Sequence, residues 1–208
     1  MKSAQLQGST MQATKGHTRN ITIVAVACPV AFLVTGLCSC RNGEKDMART
    51  TVPADVATIQ VRSSAFEEGG MIPKQYACDG EDVSPPLSWE SGPEGTRSFA
   101  LIVDDPDAPR GTFVHWVLYD LLGNTRELPE NTPRDKTLSD GARQGVNSAS
   151  RIGYMGPCLP SGTHRYFFKV YALDAMTNLP PGKSKADLLQ AMKGHILAQG
   201  QIMGTYKK

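Results

Sequence analysis

Apolar and polar positions alternate over short stretches of this chain, and turn-forming residues separate those stretches. Ile59-Gln60-Val61-Arg62-Ser63 alternates and predicts a first strand, and Leu87-Ser88-Trp89 predicts a second. Longer strands are expected over 98–104 and 112–119. Residues 166–173, Tyr-Phe-Phe-Lys-Val-Tyr-Ala-Leu, are aromatic and β-branched, as a buried strand requires. Simple alternation within 112–119 puts Phe113, His115, Val117 and Tyr119 on one face, with Val114, Trp116 and Leu118 on the other. Between these runs the chain is dense in Gly, Pro and Asp, notably at 66–86 and 93–96. Residues 123–150 lack periodicity and predict irregular chain wrapping the domain.

One helical period stands out. Leu188, Leu189, Met192 and Ile196 recur at three- and four-residue steps, predicting a helix over 183–197. Ser184 suits its N-cap, and Asp187 three residues later completes a form of capping box. Residues 201–206 then read as a closing strand. Many short strands with one clear helix predict a mainly β fold, a sandwich with a short C-terminal helix, rather than alternating β-α units.

The N-terminal part follows a different pattern. Residues 1–20 are polar, with Lys15, His17 and Arg19 as their positive end and no acidic residue; Met11 is an alternative start. The apolar run 21–37 is between a signal-peptide core and a minimal membrane span in length, and Pro29 interrupts it. It ends in Leu37-Cys38-Ser39-Cys40, which resembles a bacterial lipoprotein box, although Cys38 stands where a small residue is usual. That resemblance implies a signal peptide over 1–40 and lipidation of Cys40, with an uncleaved anchor or plain secretion as alternatives. Residues 41–57 read as a flexible tether and 58–208 as the domain. The expected location is the bacterial cell envelope, lipid-anchored, facing the periplasm or the cell exterior.

Composition adds limits. Hydrophobic content of 40% and charged content of 20% are those of a globular domain. A net charge of +2 gives no argument for nucleic acid. With Cys28 and Cys38 removed and Cys40 lipidated, Cys78 and Cys158 remain, an even pair in an oxidising compartment. A disulfide and two free thiols both fit.

Candidate chemistry gathers at strand ends. Asp105-Pro106-Asp107-Ala108-Pro109 is a carboxylate cluster stiffened by two prolines. The stretch 153–166, G-Y-M-G-P-C-L-P-S-G-T-H-R-Y, is a stiff loop that delivers His164, Arg165 and Tyr166 to the mouth of a strand. Histidines and a phenol donate hydrogen bonds, and an arginine can grip a carboxylate in a fork, so these types suit an anion site. No serine lies in a nucleophile elbow, and no phosphate-binding glycine loop is present. His115, His164, Asp105 and Cys158 lack metal-ligand spacing, so neither metal nor cofactor is expected.

The same residues carry a resemblance. D-P-D-x-P at 105–109 and G-x-H-R at 162–165 resemble the two signatures of phosphatidylethanolamine-binding proteins. Ser84-Pro85-Pro86-Leu87-Ser88-Trp89, His115-Trp116-Val117, Gly153-Tyr154, Gly156-Pro157-Cys158 and Gly204-Thr205-Tyr206 look like the bacterial Raf-kinase-inhibitor-like branch. The resemblance spans about 59–206. It implies a β-sandwich with a small anion pocket formed by Asp105, His115, Pro160, His164 and Tyr166. Asp107, Arg165 and Tyr206 would support that pocket. The implied function is a membrane-tethered binding module for a phosphate ester or phospholipid head group, with a regulatory role in view. A small hydrolase or lyase using the same His/Asp set, or an envelope protein-interaction module, is the alternative. Two departures stand out: Leu159 where a second proline is common, and Ser150 where a glycine often turns the chain.

Overall fold

The structure is a computed structural model, and it describes residues 56–208. The signal peptide, Cys40 and nearly all of the tether are outside the described residues. Among the described residues no helix is long and apolar enough to cross a membrane.

An unbroken apolar run makes the centre of the sheet. Every residue of β4 (Ser98–Asp105) is buried, because both of its faces are covered. It pairs antiparallel with β5 (Phe113–Leu122) on one side and β8 (Thr163–Leu173) on the other. β9 (Ile196–Lys207) flanks β8, β1 (Ala57–Thr58) adds in parallel at one edge, and β7 (Arg143–Gln144) closes the other. The six-stranded order is β1-β9-β8-β4-β5-β7. A second sheet of three short strands is ordered β2 (Val61–Arg62), β3 (Leu87–Trp89), β6 (Glu127–Leu128).

The space between the sheets is the main core. Phe99, Leu101, Val103, Trp116, Leu118, Phe168 and Val170 meet Val61, Leu87, Trp89 and Leu128 there. Trimming Phe168, which is fully buried, to alanine would cost about 3–5 kcal/mol. The outer face of the large sheet forms a second cluster. Ala100, Ile102, Val117 and Tyr119 pack with Leu188 and Met192 of the helix α1 (Lys185–Met192).

Helix α1 begins where its cap predicts. The Ser184 hydroxyl accepts from the Asp187 amide, and the Asp187 carboxylate accepts from the Ser184 amide. It ends earlier than the periodicity predicts. Lys193 is extended and Gly194 has φ of +83°, which breaks the helix. Ile196 and Leu197 therefore start β9 instead of finishing the helix, and the closing strand is longer than expected. The first predicted strand, 59–63, shortens to β2, with β1 lying just before it, and β8 starts three residues earlier than expected, so His164 and Arg165 are within the strand.

Asp104 secures the helix to the sheet. Its carboxylate is 2.9 Å from Lys169 Nζ and 2.8 Å from Lys185 Nζ. A groove of about 910 Å³ lies over this ion cluster.

Candidate functional site

Two irregularities in regular strands create the site. Between Val103 and Asp104, β4 advances one residue while its partner advances two, from Trp116 to Val114. His115 is the extra residue, and a bulge of this kind redirects side chains. The shift reverses the phase of the strand. Val117 and Tyr119 face the helix side with Val114, whereas Phe113 and His115 line the inner cavity. The face shared by His115, Val117 and Tyr119 under simple alternation is therefore corrected: the bulge separates them.

The second irregularity is the turn after β4. The Asp105 carboxylate accepts the Asp107 amide at 2.8 Å through Oδ1. Its Oδ2 accepts His164 Nδ1 at 2.7 Å. Asp107 is gripped in turn by Arg165, through its amide at 3.0 Å, Nε at 2.9 Å and a terminal nitrogen at 2.7 Å. Consecutive residues of β8 thus hold alternate residues of the turn. The Arg165 hydrogen bonds lower the Asp107 pKa to about 2.

His115 is held from the other side. Its Nδ1 is 2.7 Å from the Met155 carbonyl, and the Met155 amide returns a bond to the His115 carbonyl at 3.0 Å. Its ring lies between Phe113, 4.8 Å away, and the edge of Tyr166, 5.1 Å away. Burial pushes the His115 pKa down, against the opposing pulls of the Met155 and Gly156 backbone and of Asp105 and Asp104.

The loop 153–160 forms the far wall, and a neighbouring segment braces it. The Tyr154 hydroxyl donates to the Tyr76 carbonyl at 2.8 Å, and the Cys78 amide to the Pro157 carbonyl at 3.0 Å. The Gly156 amide donates to Asp82 at 2.7 Å. A Cβ on Gly156 would come within 2.2 Å of the Tyr76 carbonyl oxygen, so only glycine fits this approach. Cys78 and Cys158 are joined by a disulfide. Cys158 is on the cavity wall, and its bond to Cys78 removes it as a thiol nucleophile.

These parts enclose a cavity of about 450 Å³. Asp105, His115, Pro160 and His164 line it, together with residues not assigned to a pocket from the sequence: Arg110, Phe113, Ser148, Met155 and Leu159. Arg110 carried the clearest missed signal, since it directly follows the 105–109 signature. Its side chain makes no hydrogen bond or ion pair among the described residues. Tyr166 does not reach the cavity wall. It points inward like His164, but it is one step deeper, under His115, and its hydroxyl is buried without a hydrogen-bond partner. Burial raises its pKa, with Asp105 and Asp107 adding to the effect, so the phenol stays protonated. Tyr206 also stands back from the wall. Its hydroxyl donates to Asp79 at 2.7 Å, linking β9 to the disulfide segment.

The larger groove over Asp104 is a poorer candidate. Both of its lysines are bound to that carboxylate, and Glu68 and Glu90 on its rim oppose an anion. Among the described residues no group of three or more His, Cys, Asp or Glu is placed to hold a metal.

The sequence model of the phosphatidylethanolamine-binding protein family matches residues 62–207. A UPF0098 protein of Aquifex aeolicus is 54% identical over 155 residues, covering 73% of this chain and 90% of that one. A UPF0098 protein of Methanothermobacter thermautotrophicus is 47% identical over 150 residues, covering 72% of this chain and 99% of the other. Among solved structures, a phosphatidylethanolamine-binding protein homologue of Chlamydia trachomatis is 42% identical with a TM-score of 0.67, over 73% of this chain and 98% of its own. E. coli YbcL, described as a member of the mammalian family, is 33% identical with a TM-score of 0.68, over 73% and 99%.

Proposed function

Because the chain belongs to the phosphatidylethanolamine-binding protein family, we propose that it is a binding module for a small anionic group, a phosphate ester or phospholipid head group. The observation that carries this reading is a pair of buried histidines on one cavity, each with Nδ1 committed to an internal acceptor. With Nδ1 occupied, each ring has only Nε2 left for a ligand. Asp105 fixes the orientation of His164, and Arg110 adds unpaired positive charge to the wall. Phe113, Met155 and Leu159 offer apolar surface to the carbon part of an ester.

The reading includes a membrane tether through Cys40, supported by the box at 37–40 that ends the apolar run. It places the domain in the cell envelope, where ligand-dependent contact with a partner would give it a regulatory role.

Calorimetry tests the pocket. Phosphoethanolamine should bind the full-length protein, and His164→Ala should abolish that binding while leaving the unfolding transition cooperative. Absence of binding by the unmutated protein refutes the reading. Mass spectrometry of the N-terminus tests the tether: an unmodified chain that retains 21–37 refutes it.

A further inference from the structure

Resting on the anion-pocket reading, a finer property follows from which atoms the walls present. We propose that the pocket selects anions that still carry a proton, monoprotonated phosphate monoesters, over anions that carry none, such as sulfate esters. The selecting residue is His115, through a bare Nε2 that can only accept a hydrogen bond.

Hydrogen-bond geometry fixes that tautomer. Nδ1 of His115 is 2.7 Å from the Met155 carbonyl oxygen, which has no hydrogen to give, so Nδ1 carries the proton. The ring is 3% exposed, and burial pushes it toward the neutral form, outweighing the carboxylates and backbone groups that favour its charged form. A neutral imidazole has one N–H, which leaves Nε2 as a lone pair. The groups facing this ring are Asp105 from β4, Tyr166 from β8, Phe113 from its own strand, and Met155 from the rim. None is a cation.

Asp105 strengthens the selection independently. It is 3% exposed, lines the same cavity and offers only acceptor oxygens. A fully ionised anion would bring bare oxygens against both the Asp105 carboxylate and the His115 lone pair. A monoprotonated phosphate instead donates its P–OH to Nε2, while its remaining oxygens take up the donors on the wall, among them Arg110. Leaving a buried acceptor unmet corresponds to about 10- to 100-fold in affinity.

The test uses two ligands of like shape, one able to carry this proton and one not: phosphoethanolamine and 2-aminoethyl sulfate. Titration of the full-length protein at pH 6 and pH 8, at fixed ionic strength, gives the ratio of their affinities. Titration of protein groups that meet both ligands alike cancels in that ratio. The second phosphate ionisation lies near pH 6, about where that of a phosphorylated side chain falls. The expected ratio therefore favours phosphoethanolamine by at least about 10-fold at pH 6 and shrinks by up to about 10-fold per unit above it. In His115→Gln, an amide donor can occupy the position of Nε2, and the ratio should fall toward one. Equal affinities at pH 6, or a ratio flat with pH in the unmutated protein, overturn this inference while the anion pocket stands, and they decide it even if the variant does not fold. Failure of both ligands to bind removes the pocket reading itself and the inference with it.

Discussion

Removing the Cys78–Cys158 disulfide should destabilise the domain substantially. The bridge closes a loop with a sequence separation of 80 residues. In the chain-entropy treatment, opening a loop of that size returns about 15 cal/mol/K to the unfolded chain, or about 4.5 kcal/mol at 25 °C. For a domain of this size each kcal/mol moves the melting temperature by about 2–4 °C, so the expected fall is about 9–18 °C. Packing adds little, because Cys158 is exposed and Cys78 half-buried. The hydrogen bonds that join the same segments, from Tyr154 to Tyr76 and from Cys78 to Pro157, act in the folded state and leave the loop-entropy gain unchanged. The comparison is urea unfolding of the oxidised protein against Cys78→Ser/Cys158→Ser, followed by fluorescence of Trp89 and Trp116, which are buried when folded. Unfolding free energies that agree within about 1 kcal/mol would refute the loop argument.

Further outcomes are expected at three other positions. The Asp107 pKa is held at about 2, below its ordinary 3.8, so its contribution is full above about pH 4 and disappears as pH falls through 2; Arg165→Ala should weaken stability at pH 7 but match the parent near pH 2 in acid-unfolding scans. The Arg165 side chain is about half exposed, so this difference belongs at the small end expected for surface pairs. Ser150 has φ of +59°, which strains a non-glycine residue; Ser150→Gly should gain about 0.5 kcal/mol net of glycine's greater unfolded-state freedom, raising the melting temperature by about 1–2 °C in calorimetric scans. Because the Tyr166 hydroxyl is buried without a partner, Tyr166→Phe should leave unfolding free energy unchanged or raise it by up to about 1 kcal/mol in urea titrations.

Local chemistry was legible in the sequence where neighbours in the chain decide it. Ser184 and Asp187 form their capping box without help from elsewhere, so the helix start is readable. Its end was hidden because Ile196 and Leu197 satisfy a helical period as well as a strand that pairs with Leu173. The Asp105–Asp107 turn and the arrival of His164 beside it were readable from two short motifs. The facing of His115 was not: a bulge depends on how β5 registers against β4, and no period within β5 records its partner. Long separation hid the Asp104 ion cluster for the same reason, since Lys169 and Lys185 are 65 and 81 residues away. The strained turn at Ser150 illustrates a further limit. Asn147 accepts the amides of Ala149 and Arg151, and this bracing holds a residue type that rarely adopts that conformation alone.

The parallel pairing of β1 with β9 sets the chain's entry and the pocket at opposite ends of one strand. The chain enters the domain opposite Ala198, whereas His164 is opposite Tyr206 at the other end of the same strand. At about 3.4 Å per residue the two are roughly 27 Å apart. The cavity therefore opens at the end of the large sheet remote from the point where the chain enters the domain. A ligand reaches it without passing the first strand of the domain.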